Sequence, residues 1–181
     1  MTRHPSLTAS RSRDLLGIYL NDHLAGATGG AELARRMASS QRSTPAGTTL
    51  GDLARDVAAD RAALISIMKA LGVPVRRYKT GLGWVGERIG RLKLNGHLIT
   101  RSPLSSLEEL ELLRLGAEGK AAGWRTLRVL ADSDHRVDAR QLDELLGRAR
   151  SQVEILENLR VKAANDVINR GAAQRRLAPS S

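Results

Sequence analysis

The stretch Leu50–Pro74, LGDLARDVAADRAALISIMKALGVP, decides how this chain folds. Within it Leu50, Leu53, Val57, Asp60, Leu64, Ile67 and Leu71 follow one another at steps of three and four, the spacing of one face of an α-helix. Gly72 and Pro74 then close the stretch, a C-cap glycine followed by a residue that cannot continue a helix. One position breaks the apolar rule, and it is Asp60, in the middle of the stripe.

The same spacing recurs on either side. A first segment, about Ser12 to Ser40, carries Leu16, Leu20, His23, Ala27, Gly30, Ala34 and Met37 on one stripe; Ser43, Pro45 and Gly47 predict a loop over residues 41–49. A third begins near Ser105 or Ser106, where serine followed by Glu108 and Glu109 predicts an N-cap with first-turn acids. It aligns Leu110, Leu113, Ala117, Lys120, Trp124, Leu127 and Ala131. After an acidic turn, Asp132 to Asp138, a fourth aligns Leu142, Leu145, Ala149, Gln152, Leu156, Leu159 and Ala163.

Four amphipathic helices without alternating β-branched runs predict an all-α four-helix bundle over residues 12–170, with flexible tails at 1–11 and 171–181. Helices one and two, and helices three and four, are joined by links short enough for antiparallel neighbours. Residues 73–105, between helices two and three, far exceed a bundle loop. One connection of that length predicts a crossover along the bundle, the ferritin-like arrangement.

Composition narrows the function. The 181 residues hold 29 Lys and Arg against 19 Asp and Glu, a formal charge of +10, with no Cys, no Phe and only two Trp and two Tyr. At 41% hydrophobic and 27% charged the chain is too apolar for a disordered polyelectrolyte. The lack of Cys excludes disulfides, thiolate nucleophiles, Fe–S clusters and cysteine zinc sites together. No stretch approaches the roughly 18 apolar residues of a membrane span; the best, Leu15 to Ala31, is interrupted by Asp22 and His23. With no secretory signal legible either, a cytoplasmic protein is the expectation.

Five strings carry a resemblance: IYLNDHLAGATGGAELARRMA (18–38), LARDVAADRAALISIMKALGVPVRRYK (53–79), RLKLNG with RSPLS (91–105), ELELLRLGAEGKAAGW (109–124) and RARSQVEILENLR (148–160). They resemble a family of uncharacterised actinobacterial ferritin-like four-helix-bundle proteins, over most of residues 14–168. The resemblance implies the fold. Its strings mark the family without a reaction attached, so it implies no catalytic residue.

Each of the four stripes contains one polar intruder near its helix midpoint: His23, Asp60, Lys120 and Gln152. Midpoints of bundled helices come to similar heights, which predicts one polar layer in the core. A ferritin-like di-metal site wants a Glu from each of two helices and Glu-x-x-His from each of the others. No Glu-x-x-His occurs here, and Lys120 would add positive charge where metal ions sit. The leading expectation is therefore no cofactor and no enzyme, with Asp60 paired to Lys120 or His23 and Gln152 satisfying the remainder as a device that fixes register. The alternative is a metal or redox site, iron or manganese, centred on His23 and Asp60.

Glycines inside the helices need a reason. Gly26, Gly29 and Gly30 in the first helix and Gly116, Gly119 and Gly123 in the third each cost about 1 kcal/mol relative to Ala. Close helix approach is the commoner reason and room for a ligand the less common one. Asp132, Asp134 and His135 sit together in a turn and are expected to be solvated. Glu111, Glu118, Glu154 and Glu157 are spaced for ion pairs with Arg114, Arg125, Arg150 and Arg160.

The positive charge is concentrated in the crossover, where Arg76, Arg77, Lys79, Arg88, Arg91, Lys93 and Arg101 face Glu87 alone. Leu82, Val85, Ile89 and Leu92 there suggest a short amphipathic helix with arginines outward. Such a segment is either simply solvated or engages an anionic partner: an acidic protein, nucleic-acid phosphate or an anionic membrane surface. Four aromatics and the absence of recognition motifs argue against sequence-specific nucleic-acid binding. The glycine- and alanine-rich helix faces leave self-association open. Together these expectations describe a non-catalytic bundle with a binding or structural role.

Overall fold

The computed structural model describes residues 7–76 and 103–177. Among them are four α-helices and no strand: α1 (Leu7–Ser40), α2 (Gly47–Ala70), α3 (Pro103–Ala131) and α4 (Ala139–Leu177). The stripes identified by spacing are the buried faces. The six stripe positions within α2 and its C-cap Leu71 are all buried, and Asp60 among them is only 1% exposed. No described helix is long and apolar enough to cross a membrane.

Helix ends follow local chemistry. Gly72 adopts φ +70, and it closes α2 by donating its N–H to Lys69 O at 3.1 Å while Val73 N–H reaches Met68 O at 2.9 Å. These two bonds satisfy carbonyls that the helix end would orphan, a Schellman arrangement that only glycine enters without strain. Gly47 opens α2 for a steric reason, since a Cβ there would lie 2.6 Å from Arg42 O. Asp138 caps α4 by accepting from Arg140 N–H at 2.8 Å. The third helix begins at Pro103, so Ser105 and Ser106 fall inside its first turn instead of capping it. Proline at a first helical position loses no hydrogen bond, because that N–H has no partner within the helix. Helical backbone also runs to Leu7 and Leu177, beyond the expected limits at Ser12 and Arg170.

The core consists of two apolar clusters. One joins Leu20 and Leu24 of α1 to Leu64–Leu71, Trp124–Ala131 and Leu142–Ala149; the other joins Leu33 and Met37 to Leu50–Val57, Leu110–Ala117 and Leu156. The N-terminal half of α1 thus packs with the C-terminal halves of α2 and α3 and the N-terminal half of α4. It follows that α1 and α4 run one way and α2 and α3 the other. The end of α2 and the start of α3 lie at opposite ends of the bundle. The expected crossover at 73–105 has its residues 77–102 outside the described residues, as have the outer parts of both tails, residues 1–6 and 178–181.

Candidate functional site

Between the two clusters lies a polar layer. Lys120 Nζ of α3 stands 2.5 Å from Asp60 Oδ2 and also donates to Gln152 Oε1, while Gln152 Nε2 donates to Asp60 Oδ2 at 3.0 Å. Arg148, one turn before Gln152 on α4, completes the group by donating Nε to Asp60 Oδ1 at 2.7 Å. One buried carboxylate therefore serves two cations from two helices. Burial lowers the Lys120 pKa from its ordinary value, with the Asp60 carboxylate pulling the other way.

His23 does not join this network. Its ring packs edge-on against Tyr19 with centroids 4.5 Å apart, and it covers Gly123 so closely that a Cβ there would sit 3.0 Å from His23 Cε1. Tyr19 in turn donates its hydroxyl to Thr126 Oγ1 at 3.0 Å. Burial lowers the His23 pKa and Asp22 partly offsets it, so the neutral ring is favoured. Its position on the α1 stripe is as expected, but the ring turns along α1 toward α3 and leaves Asp60 to Arg148.

Beside the layer, α1 and α3 stand apart around an open-sided cavity of about 480 Å³. Its walls include Leu20, Leu33, Leu64, Leu113 and Leu127, with His23, Asp60, Lys120 and Trp124 among them. Glycines make the space. A Cβ on Gly26, Gly116 or Gly119 would meet nothing within 4 Å, and on Gly30 it would only touch Leu113 Cδ1 at 4.0 Å. Close approach explains Gly123; room explains its neighbours. Trp124 Nε1 is buried with no acceptor among the described residues, although such a donor usually finds one.

The remaining candidates divide. Arg114 pairs with Glu157 at 3.0 Å across α3 and α4 and lies 3.9 Å from Glu118, while Arg160 bonds Glu157 at 2.7 Å. In the turn after α3, Asp134 binds Arg136 through side chain and backbone, which holds its pKa down to about 2. Arg136 also donates to Leu71 O at 3.1 Å, capping the end of α2. Of the basic crossover residues only Arg76 lies among those described. Arg77, Lys79, Arg88, Arg91, Lys93 and Arg101 lie outside them.

Spacing gave no sign of Asn21. At 3% exposure it donates Nδ2 to Gly17 O at 2.8 Å and Pro74 O at 3.1 Å, and its Oδ1 accepts from Arg76 N–H at 2.7 Å. It fastens the segment leaving α2 to α1.

The donors do not fit a di-metal centre. No three of the His, Asp and Glu side chains stand where they could hold an ion among the described residues, and both Asp60 oxygens already accept from cations. Among the described residues no hydroxyl is hydrogen-bonded to His23, and the hydroxyl of Tyr19, whose ring packs against it, donates to Thr126 instead. What the arrangement offers is an apolar enclosure with a charged group on one side, the usual composition of a small-molecule site. Comparison with protein-family models, curated proteins and solved structures gives no match.

Proposed function

We propose that this chain is a non-catalytic, ferritin-like helical bundle whose role is to bind a small ligand between α1 and α3. The observation that carries it is the cavity of about 480 Å³, opened by glycines whose Cβ positions are free of contacts. Helix packing alone does not offset the cost of those glycines; space for a guest does. The ferritin-like reading draws on the five family-like strings and on α2 and α3 running the same way, which requires a connection along the bundle. A metal or redox role for His23 and Asp60, with iron or manganese, has less support because Asp60 is engaged by Lys120 and Arg148.

The test is binding of an environment-sensitive apolar dye, anilinonaphthalene sulfonate, to the native and Gly119→Leu proteins. Saturable binding to the native bundle that Gly119→Leu removes, with helical content kept, is the expected result. Equal binding by both proteins would count against the cavity.

A second reading concerns residues 73–105, where seven basic residues accompany Glu87 alone. We propose an anionic partner there, bound through charge and weakened by salt. Exchanging Arg88, Arg91 and Lys93 for Glu should abolish retention on a heparin column at low salt. Unchanged retention overturns this reading.

A further inference from the structure

Two contacts fix the register of α1 against α3 along the cavity. The His23 ring lies over Gly123, where a Cβ would sit 3.0 Å from Cε1 and 3.1 Å from Nδ1, while a Cβ on Gly30 would be 4.0 Å from Leu113 Cδ1. From His23 to Gly30 on α1, and from Gly123 back to Leu113 on α3, the cavity spans roughly 10–15 Å at the helical rise per residue. Its two ends differ. One holds the His23 imidazole and the other is walled by Leu33, Leu112 and Leu113.

His23 is half-buried and has no hydrogen-bond partner among the described residues, yet neither ring nitrogen is sealed away. Burial lowers its pKa, so at neutral pH the ring is uncharged and carries one N–H and one bare nitrogen. The charges of the same wall are already matched. Asp60 accepts from Lys120, Arg148 and Gln152, the Asp56 charge also acts on Lys120, and Asp22 is exposed at the rim. An anionic head would meet Asp22 and Asp60; a cationic head would find both Asp60 oxygens taken and only Asp22, in water, to pair with. Either head stays hydrated at the open side and gains little from the wall, because burying it among leucines without a counter-charge is costly.

Resting on the cavity reading above, we infer that the ligand is an uncharged apolar alcohol whose terminal hydroxyl donates to the bare nitrogen of His23. Only a donor serves that nitrogen, and on an uncharged apolar body the simplest donor is a hydroxyl; a ketone or ether can serve the N–H alone. The apolar body runs from His23 past Gly26 and Gly119 toward Leu33 and Leu113, through space where a Cβ on either glycine would meet nothing within 4 Å. Binding then removes apolar area from water and makes one neutral hydrogen bond, and no charge is buried.

The experiment titrates the full chain at neutral pH with octanol, its isomer methyl heptyl ether, octanoate and octylammonium, by calorimetry and NMR. Octanol should bind saturably, about ten-fold more tightly than either ion and about two- to ten-fold more tightly than the ether, the scale of one neutral hydrogen bond. His23→Phe keeps a ring against Gly123 and should erase the difference between octanol and ether. In the native protein, which needs no variant to fold, the His23 ring protons should show nuclear Overhauser contacts to the carbinol CH2 of octanol. Octanoate or octylammonium binding as tightly as octanol overturns the uncharged assignment and leaves the cavity reading standing. Ether binding equal to octanol, or His23 contacts to the methyl end alone, overturns the pairing of hydroxyl with His23 and again leaves the cavity. Binding of none of the four overturns both.

Discussion

The Lys120 ammonium of α3 meets Asp60 Oδ2 of α2 at 2.5 Å, tying together two helices from different hairpins at the level where the two apolar clusters part. The pair bridges α2 and α3, which pack mainly against other partners. Desolvating Asp60 and Lys120 offsets much of their attraction, so the pair adds little net stability.

That balance makes removal of one partner far worse than removal of all. Asp60→Ala should cost about 3–5 kcal/mol, because Lys120 and Arg148 lose their common counter-charge. Replacing Asp60, Lys120, Arg148 and Gln152 together by Leu or Met should leave stability unchanged or raise it by about 1–4 kcal/mol. Urea unfolding followed by circular dichroism measures both. A combined variant as unstable as Asp60→Ala would show that the layer itself holds the bundle together.

The glycines give a prediction of opposite sign at neighbouring positions. Gly26→Ala, Gly116→Ala and Gly119→Ala introduce methyl groups with nothing within 4 Å, and each should stabilise by up to about 1 kcal/mol. Gly123→Ala places its Cβ 3.0 Å from His23 Cε1 and should destabilise instead, or displace the ring from Tyr19. Thermal midpoints of the four variants decide it. A stabilising Gly123→Ala would mean that α1 and α3 lie farther apart at His23 than described, and losses at Gly116 and Gly119 would mean that they lie closer there.

How much of this was legible in the sequence depends on which physical term set each feature. Burial of α2 follows from spacing alone, since a helix facing a core has one apolar stripe, and the polar positions Asp60, Lys120 and Gln152 fall on such stripes. Arg148 escaped notice because its Cα lies beside the stripe. Its long side chain carries the guanidinium inward, and periodicity registers positions without registering reach. His23 lies on its stripe yet turns toward Tyr19, a rotamer choice that spacing does not contain. The cavity was half visible: glycines in two helices signalled a missing Cβ wall, but whether helices close over it depends on packing between chain segments far apart. Asn21 left no signal, because its partners Pro74 and Arg76 are 53 and 55 residues away.

Asn21 should prove costly to replace. Asn21→Leu removes the donor to Pro74 O and the acceptor of Arg76 N–H, both on exposed residues that water can reach, a loss of about 0.5–1.5 kcal/mol for each hydrogen bond. Amide exchange at Arg76 should accelerate before global unfolding does. Unchanged protection at Arg76 would show that the segment leaving α2 is held by something other than this amide.

His23 makes stability depend on pH in a definite direction. Burial depresses its folded-state pKa below the value near 6.5 that it has in the unfolded chain. Between those two values the unfolded state binds more protons, so stability rises with pH across that window. The contribution of the neutral ring is complete above 6.5 and is lost as pH falls toward the folded pKa. Urea midpoints measured above 6.5 and about one unit below it should therefore differ, the lower pH giving the less stable protein. His23→Leu removes the titrating group while keeping an apolar body between Tyr19 and Gly123, and it should flatten this part of the profile. A slope that survives in His23→Leu would assign the dependence to another group and leave the His23 ring without a part in it.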